Sequence, residues 1–278
     1  MEKKIALITG ANTGIGRATA IELAKKNIKV FLACKSFERT KPVIDFINKS
    51  HDRILAEWLE LDLSKLRSVK DCADKFLLKN IPLNFLINNA GVAGIRGKTD
   101  DGFEAAFGIN HLGHFLLTKL LIYKLIQAEN SRVVNISSRA HHNVKSIKWD
   151  NLQKHTLSFT GIEEYAVSKL ANILFTKKLN LVLKVNNSHA FCLHPGVVDT
   201  QIWRQLPFFL RPILKLRGLL TPEESIATIR HCLFEAKPQE GGKYFEQSRV
   251  SEPNKLAQDE KLAEQLWAFS EKVTKVFQ

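Results

Sequence analysis

Tyr165 and Lys169 stand four apart in the run Glu164-Tyr165-Ala166-Val167-Ser168-Lys169, a spacing that puts a phenol and an ammonium on one face of a helix. A free tyrosine titrates at roughly pH 10, and an opposite charge a few ångströms away favours the phenolate. Such a phenol can exchange a proton with a carbonyl or a hydroxyl. The same spacing occurs on many solvated helices, so its meaning depends on what accompanies it.

A second chemical feature lies at the N-terminus. Lys3-Lys4-Ile5-Ala6-Leu7-Ile8 reads as a buried strand, followed by Thr9-Gly10-Ala11-Asn12-Thr13-Gly14-Ile15-Gly16-Arg17 and then a helical pattern to about Lys26. Strand, glycine turn and helix start in that order suit an anion, because free backbone N–H groups and the helix dipole face it. Gly10, Gly14 and Gly16 give a longer first gap than the G-x-G-x-x-G fingerprint. Tight packing alone could also ask for glycines; their place between a first strand and a first helix favours a nucleotide.

The elements that must position these residues follow from periodicity. Short apolar runs at 28–33, 54–61, 83–87, 131–136 and 189–193 alternate with longer amphipathic stretches. That alternation predicts an α/β fold, a parallel sheet with right-handed crossovers and helices on both faces. A chain of 278 residues, 45% hydrophobic, can bury one substantial core, and a single domain over 1–278 is the expectation. No apolar stretch reaches the roughly 20 residues of a membrane span, and no signal-peptide pattern precedes the first strand. Cys34, Cys72, Cys192 and Cys232 show no disulfide-like or metal-ligand spacing, which suits a reducing, cytoplasmic setting and a role as buried small hydrophobes. The net charge of +13 comes from scattered residues and no nucleic-acid motif, so nucleic acid is not an expected partner.

Further segments complete a pattern: Asn88-Asn89-Ala90-Gly91 after the fourth strand, Asn110 in a long helix, Ser138 after the fifth strand, and His194-Pro195-Gly196 with Thr200 after the sixth. Together with the glycine turn and Tyr165-x-x-x-Lys169, in this order, they resemble the short-chain dehydrogenase/reductase family over nearly the whole chain. The resemblance implies a doubly wound Rossmann fold, a seven-stranded sheet ordered 3-2-1-4-5-6-7, with its ligands at the carboxyl ends of the strands. It implies Tyr165 as general acid, Ser138 as the hydroxyl on the substrate oxygen, and Lys169 as the group that lowers the Tyr165 pKa and holds the nicotinamide ribose. Ser138 is preferred to Ser137 by the family pattern. Asn110 is expected to help hold a water-linked proton path to Lys169, although a helix-packing asparagine would look the same in sequence.

The same resemblance implies a dinucleotide held by Gly10, Asn12, Thr13, Gly14, Ile15 and Gly16, by Asp62 and Leu63 past the third strand, by Asn89, Ala90 and Gly91, and by Pro195, Gly196, Val198 and Thr200, besides Tyr165 and Lys169. Its identity is read from the second strand, whose tip Val30-Phe31-Leu32-Ala33-Cys34-Lys35-Ser36 lacks the acid of an NAD site. Lys35, with Arg17 as a second cation, predicts NADP(H).

Within the family the retinol dehydrogenase-like carbonyl reductases are the nearest resemblance, on Asn110-His111-Leu112-Gly113-His114-Phe115-Leu116-Leu117-Thr118, Ser137-Ser138-Arg139-Ala140-His141 and Ser168-Lys169-Leu170-Ala171-Asn172. They imply carbonyl/alcohol exchange on a small lipophilic substrate. Many of them carry an N-terminal hydrophobic anchor, and with the first strand starting near Met1 no such anchor is expected here. A catalytically silent NADP(H)-binding sensor is the alternative, set against the retention of Tyr165, Lys169 and Ser138. Residues 200–221 are expected to form a substrate lid; the basic, apolar run at 203–218 suits contact with a lipid surface, an interface between copies, or an ordinary packed helix. The Asn110 and Tyr165 helices are candidate faces for a homodimer, and residues 254–276 predict a C-terminal helix. His111 and His114 lack further ligands, so no metal is expected and both read as packed or surface histidines; His141 and His142 read as solvated loop residues.

Overall fold

The structure, a computed structural model, describes residues 4–196, 198 and 220–278. Strands β1 (Ile5–Thr9), β2 (Lys29–Cys34), β3 (Ala56–Glu60), β4 (Phe85–Asn88), β5 (Arg132–Ile136), β6 (His189–His194) and β7 (Tyr244–Glu246) run parallel, and β8 (Arg249–Val250) returns antiparallel to β7. Their order is β3-β2-β1-β4-β5-β6-β7-β8. The expected seven strands and their order are present, and β8 adds an eighth. The β7–β8 hairpin turns through Gln247 and Ser248, both at positive φ (48° and 60°), the backbone that a two-residue hairpin turn requires.

Helices α1 (Gly14–Lys25) and α2 (Phe37–Lys49) follow β1 and β2, and α3 (Leu66–Leu77) follows β3. After β4 the chain forms α4 (Ala105–Phe107), a π-helical turn (Gly108–Leu112), α5 (Gly113–Leu120) and α6 (Ile122–Gln127). The long helix α7 (Ile162–Leu183) precedes β6, α8 (Pro222–Ser225) and α9 (Ala227–Phe234) precede β7, and α10 (Glu260–Thr274) closes the chain. The C-terminal helix expected at 254–276 is thus α10 flanked by short 3-10 turns, Lys255–Gln258 and Lys275–Phe277, with the Asp259 carboxylate capping its start by accepting from Leu262 N at 3.0 Å.

Central strands are buried on both faces, which is why they read as apolar runs without alternation. Successive residues still part company: Phe31 joins the core under α3, α5, α7 and α10, and Leu32 the core under α1, α2 and α9. On the first face α10 lies on α5 and α7. Trp267 meets Phe115 edge-on at 5.2 Å, and Lys119–Glu271 (2.6 Å) and Lys178–Glu264 (3.2 Å) pair at the rim. The helix faces considered for pairing two copies therefore carry this chain's own C-terminal helix. All four cysteines are free and buried. Among the described residues, no helix is long and apolar enough to cross a membrane.

Candidate active site

Strand order reverses between β1 and β4, and the crevice at their carboxyl ends is where an open α/β sheet takes its ligand. The Thr9 hydroxyl ties the two ends together, accepting from Asn89 N and Ala90 N at 2.9 Å each, and Asn89 Nδ2 donates to Thr9 O at 2.8 Å. Above them the glycine turn is pressed against the same asparagine. A Cβ on Gly16 would stand 2.5 Å from Gly10 O and 2.6 Å from Asn89 Nδ2, so only glycine fits. The first turn of α1 has no acidic residue, and its N-cap, Thr13, makes no side-chain cap bond. Its N–H groups and helix dipole suit an anion there. Ile15 packs against the core beneath this turn.

A cavity of about 680 Å³ opens from this crevice, lined by Gly10, Asn12, Lys35, Asp62, Leu63, Ala90 and Gly91 among others; its size is that of a ligand cleft. Chemistry and shape fit a dinucleotide. Lys35 is 74% exposed and pairs with Asp62 at 2.8 Å. Burial pushes the Asp62 carboxyl up, but Lys35 and Ser64 outweigh it and the carboxyl is held below its usual range. Arg17, the expected second cation, does not line this cavity. One turn into α1, it is exposed and borders a separate groove with Glu223, Glu224 and Arg230. Arg39, in the first turn of α2, lines the cavity together with Ser36.

The other end of the crevice gathers the proton-transfer candidates. Tyr165 (4% exposed) and Lys169 (2%) sit on the first turns of α7. The start of that helix is fixed by Glu164, whose carboxylate accepts from Leu157 N and Ser158 N at 2.9 Å. Burial pushes the Tyr165 phenol up to about 12, and the Ser138 hydroxyl beside it pulls in the opposite direction. Burial pushes Lys169 down to about 8. Its Nζ donates to Ile136 O at 3.2 Å and lies 5.5 Å from the Tyr165 ring centre. In this arrangement burial, not the ammonium, dominates the phenol. Ser137 turns the other way and donates to Lys169 O at 2.8 Å, so of the two serines Ser138 is the one beside the phenol.

Asn110 lies in the π-helical turn and joins three segments. Its Oδ1 accepts from Val92 N at 2.8 Å, and its Nδ2 donates to Val92 O and to Ser168 Oγ, each at 2.9 Å. Ser168 Oγ in turn donates to Tyr165 O at 2.7 Å. A Cβ on Gly91 would stand 3.2 Å from Asn110 Oδ1 and 3.3 Å from Lys169 Nζ, so the cofactor crevice and the Tyr165 site meet at that glycine.

A sequence profile of the family described as short chain dehydrogenase matches residues 4–151. Human retinol dehydrogenase 11 is 40% identical over 271 residues, covering 96% of this chain and 84% of that protein. The chain belongs to the short-chain dehydrogenase family. It is similar also to human polyprenol dehydrogenase, 36% identical over 98% of this chain and 86% of that one. Among solved structures, an uncharacterised Mycobacterium paratuberculosis protein superposes with a TM-score of 0.73 at 31% identity, covering 98% and 93% of the two chains. A single-substitution variant of actinorhodin polyketide ketoreductase, solved with NADPH, shares the fold, with a TM-score of 0.71 at 20% identity over 88% and 95%. As a retinol dehydrogenase-like short-chain dehydrogenase the chain is an oxidoreductase of alcohols or carbonyls that works with a nicotinamide dinucleotide.

The remaining expected positions of this dehydrogenase fall into three groups. Pro195 and Gly196 follow β6, and Gly196, at φ +90°, leaves no room for a Cβ beneath Leu220. Val198 is buried and bridges to Leu220. Thr200 and the run 203–218 lie outside the described residues. His111 and His114 are buried, with burial pushing them down to about 3 and about 4. His142 is exposed as expected, but His141 is buried between the tilted ring of His142 (4.1 Å) and Tyr244, which it meets edge-on (4.9 Å), and its Nδ1 lies 2.5 Å from Ser138 O. The insert folds back under Asn254, whose Nδ2 donates to His141 O at 3.0 Å and Val144 O at 2.9 Å, and that clamp takes the first histidine out of solvent. Sequence reasoning missed Arg39, Val92 and Ser168. Only Arg39 carried a signal, as a cation just past the second strand.

Proposed function

We propose that this enzyme interconverts a carbonyl and an alcohol on a small lipophilic substrate, with NADP(H) as cofactor. The observation that carries the reading is that the Tyr165 phenol, the Ser138 hydroxyl and Lys169 lie together behind Gly91, a residue that lines the cavity. When bound, the dinucleotide supplies a hydride to the carbonyl carbon. Negative charge then grows on the substrate oxygen, and a donor placed there lowers the barrier. Tyr165, protonated at neutral pH because burial raises its pKa, delivers that proton. Ser138 hydrogen-bonds the same oxygen and orients the phenol. Lys169 holds the nicotinamide ribose hydroxyls, and Asn110 fixes the Gly91–Val92 loop beside it.

The 2′-phosphate reading is supported by the absence of an acid at the β2 tip and by Lys35, Ser36 and Arg39 at that end of the cavity. Glycine-turn residues Gly10 to Gly16 would take the pyrophosphate, and Asp62 and Leu63 the adenine. A lipophilic substrate is supported by the names of the relatives, since retinol and polyprenols are both long apolar alcohols. Four free buried cysteines suit a reducing compartment, in keeping with a cytoplasmic enzyme that meets its substrate at a lipid surface. The test is oxidation of NADPH and of NADH across a panel of apolar aldehydes and ketones. Turnover with NADPH preferred is expected; no turnover with any carbonyl, or a preference for NADH, refutes the respective half of the proposal.

A further inference from the structure

His114 makes two hydrogen bonds deep in the core, and both go to groups that hold the site together. Its Nδ1 lies 3.0 Å from Asn110 O and its Nε2 lies 2.8 Å from Thr9 Oγ1. A carbonyl oxygen only accepts, so Nδ1 carries the proton. The Thr9 oxygen already accepts from Asn89 N and Ala90 N, which leaves its hydroxyl proton to be donated, and Nε2 of a neutral ring accepts it. The Nδ1–H tautomer satisfies every group, whereas the Nε2–H of a charged ring would drive the Thr9 hydroxyl proton off this 2.8 Å bond to its other acceptor, Ile87 O, at 3.5 Å. Burial keeps the ring neutral against the pull of the Asn110 carbonyl, and the Lys169 charge that faces it acts in the same direction as burial. His111, one residue past Asn110, is a useful contrast: its Nε2 lies 2.9 Å from Ser270 Oγ, and among the described residues no hydrogen bond of normal geometry reaches its Nδ1.

We propose that His114 is a positioning residue: its neutral Nδ1–H ring ties the turn that carries Asn110 to the strand end that carries the cofactor loop. The tie rests on the functional reading above and extends it. Asn110 is held by its side chain to Val92 and Ser168 and by its carbonyl to His114. Thr9, at the other end of the ring, aligns the Asn89 and Ala90 amides. A π-helical turn lacks the regular i→i−4 ladder that would otherwise fix such a carbonyl. The imidazole therefore sets the register between α5 and β1, and a displacement there is passed to both halves of the crevice.

The test has a spectroscopic arm and a kinetic arm. Long-range ¹⁵N spectra of the histidine-labelled full chain should show a neutral Nδ1–H ring between pH 5 and 8 that disappears in His114→Gln. An Nε2–H or charged ring at that signal overturns the proposal, whether or not any carbonyl is turned over. In the kinetic arm, His114→Phe should lower kcat by about tenfold to a hundredfold, the penalty of a small misplacement, and weaken NADPH binding with it. His114→Gln keeps a donor and an acceptor and should recover most of that loss. An unchanged kcat in His114→Phe, or equal impairment of both variants, overturns the proposal. If the wild-type chain reduces no carbonyl, the functional reading fails, and the spectrum still decides the tie.

Discussion

Lys169→Met should make this enzyme more stable and inactive. The ammonium is 2% exposed, and burial brings its pKa from 10.5 to about 8, so at neutral pH the fold carries a charged lysine at a cost of about 3 kcal/mol relative to the unfolded chain. Methionine removes the charge and keeps most of the stem. The bond from Nζ to Ile136 O is lost, about 1 kcal/mol, but that carbonyl keeps the Asn172 Nδ2 donor at 3.0 Å. The net gain is about 2 kcal/mol, or about 3–4 °C in Tm for a chain of this length. Its pH dependence has a definite sign. Below pH 8 both states are protonated and the whole cost is present. Between about 8 and 10.5 the unfolded state binds more protons than the folded one, so wild-type stability rises with pH and the gap to Lys169→Met closes. Urea denaturation of both proteins at pH 7 and pH 10 measures this. A variant less stable than wild type at pH 7, or a gap that does not narrow by pH 10, refutes the reasoning.

Tyr165→Phe should abolish turnover and leave NADPH binding, read by fluorescence, within about twofold, because the lost hydroxyl acts on the substrate oxygen; retained turnover would contradict the assignment. Arg39→Ala should raise the KM for NADPH about tenfold, the worth of one charge-assisted bond, with the KM for NADH unchanged; equal effects on the two cofactors would remove Arg39 from the phosphate end. Leu266→Ala, at a position 1% exposed on α10, should lower stability by about 2–4 kcal/mol without altering the sedimentation coefficient of the folded protein. A shift in assembly state with little loss of stability would mean that α10 is an interface and not part of this chain's core.

The alternation of strands and helices, the glycine turn after Thr9 and the shared face of Tyr165 and Lys169 were legible because each depends on local pattern, namely apolar runs for buried strands, glycines for a turn and i,i+4 spacing; the sheet order and the places of Asn89 and Ser138 came from the family resemblance. β8 was not, since Arg249–Val250 is two residues long and its turn, Gln247-Ser248, lacks the Asn-Gly signature. That Arg39 and not Arg17 lines the cavity follows from rotation about a helix. Arg17 lies near the glycine turn in sequence but faces α8 and α9, whereas the start of α2 brings Arg39 to the strand end. The burial of His141 depends on Asn254, more than a hundred residues away, and no local pattern carries that. Covering of α5 and α7 by α10 is equally non-local: apolar helix faces look alike whether a partner or the chain's own end lies on them.

Behind the catalytic residues runs a belt of buried polar groups whose cost needs a reason. Asn88 Nδ2 donates to Thr118 Oγ1 (3.0 Å) and Asn135 Oδ1 (2.7 Å), Asn135 Nδ2 to Thr176 Oγ1 (2.9 Å), and Thr176 Oγ1 to Asn172 O (2.6 Å). Apolar side chains of similar volume would fill this layer without desolvating amides, and Asn88 Oδ1 is left with no partner. What the belt does is direction. Dispersion contacts tolerate a helix sliding by a fraction of an ångström, whereas a chain of hydrogen bonds from β4 through β5 to α7 permits one register. It ends at Asn172 and Lys169, which share the Ile136 carbonyl. The same logic explains His114 on the neighbouring helix: two polar ties, one to α7 and one to α5, hold both helices against the strand ends. Asn135→Leu should therefore lower kcat, and because it strips a buried Asn88 Nδ2 proton of its acceptor it should also cost about 1–3 kcal/mol of stability. Unchanged turnover in that variant would show that packing alone sets the register.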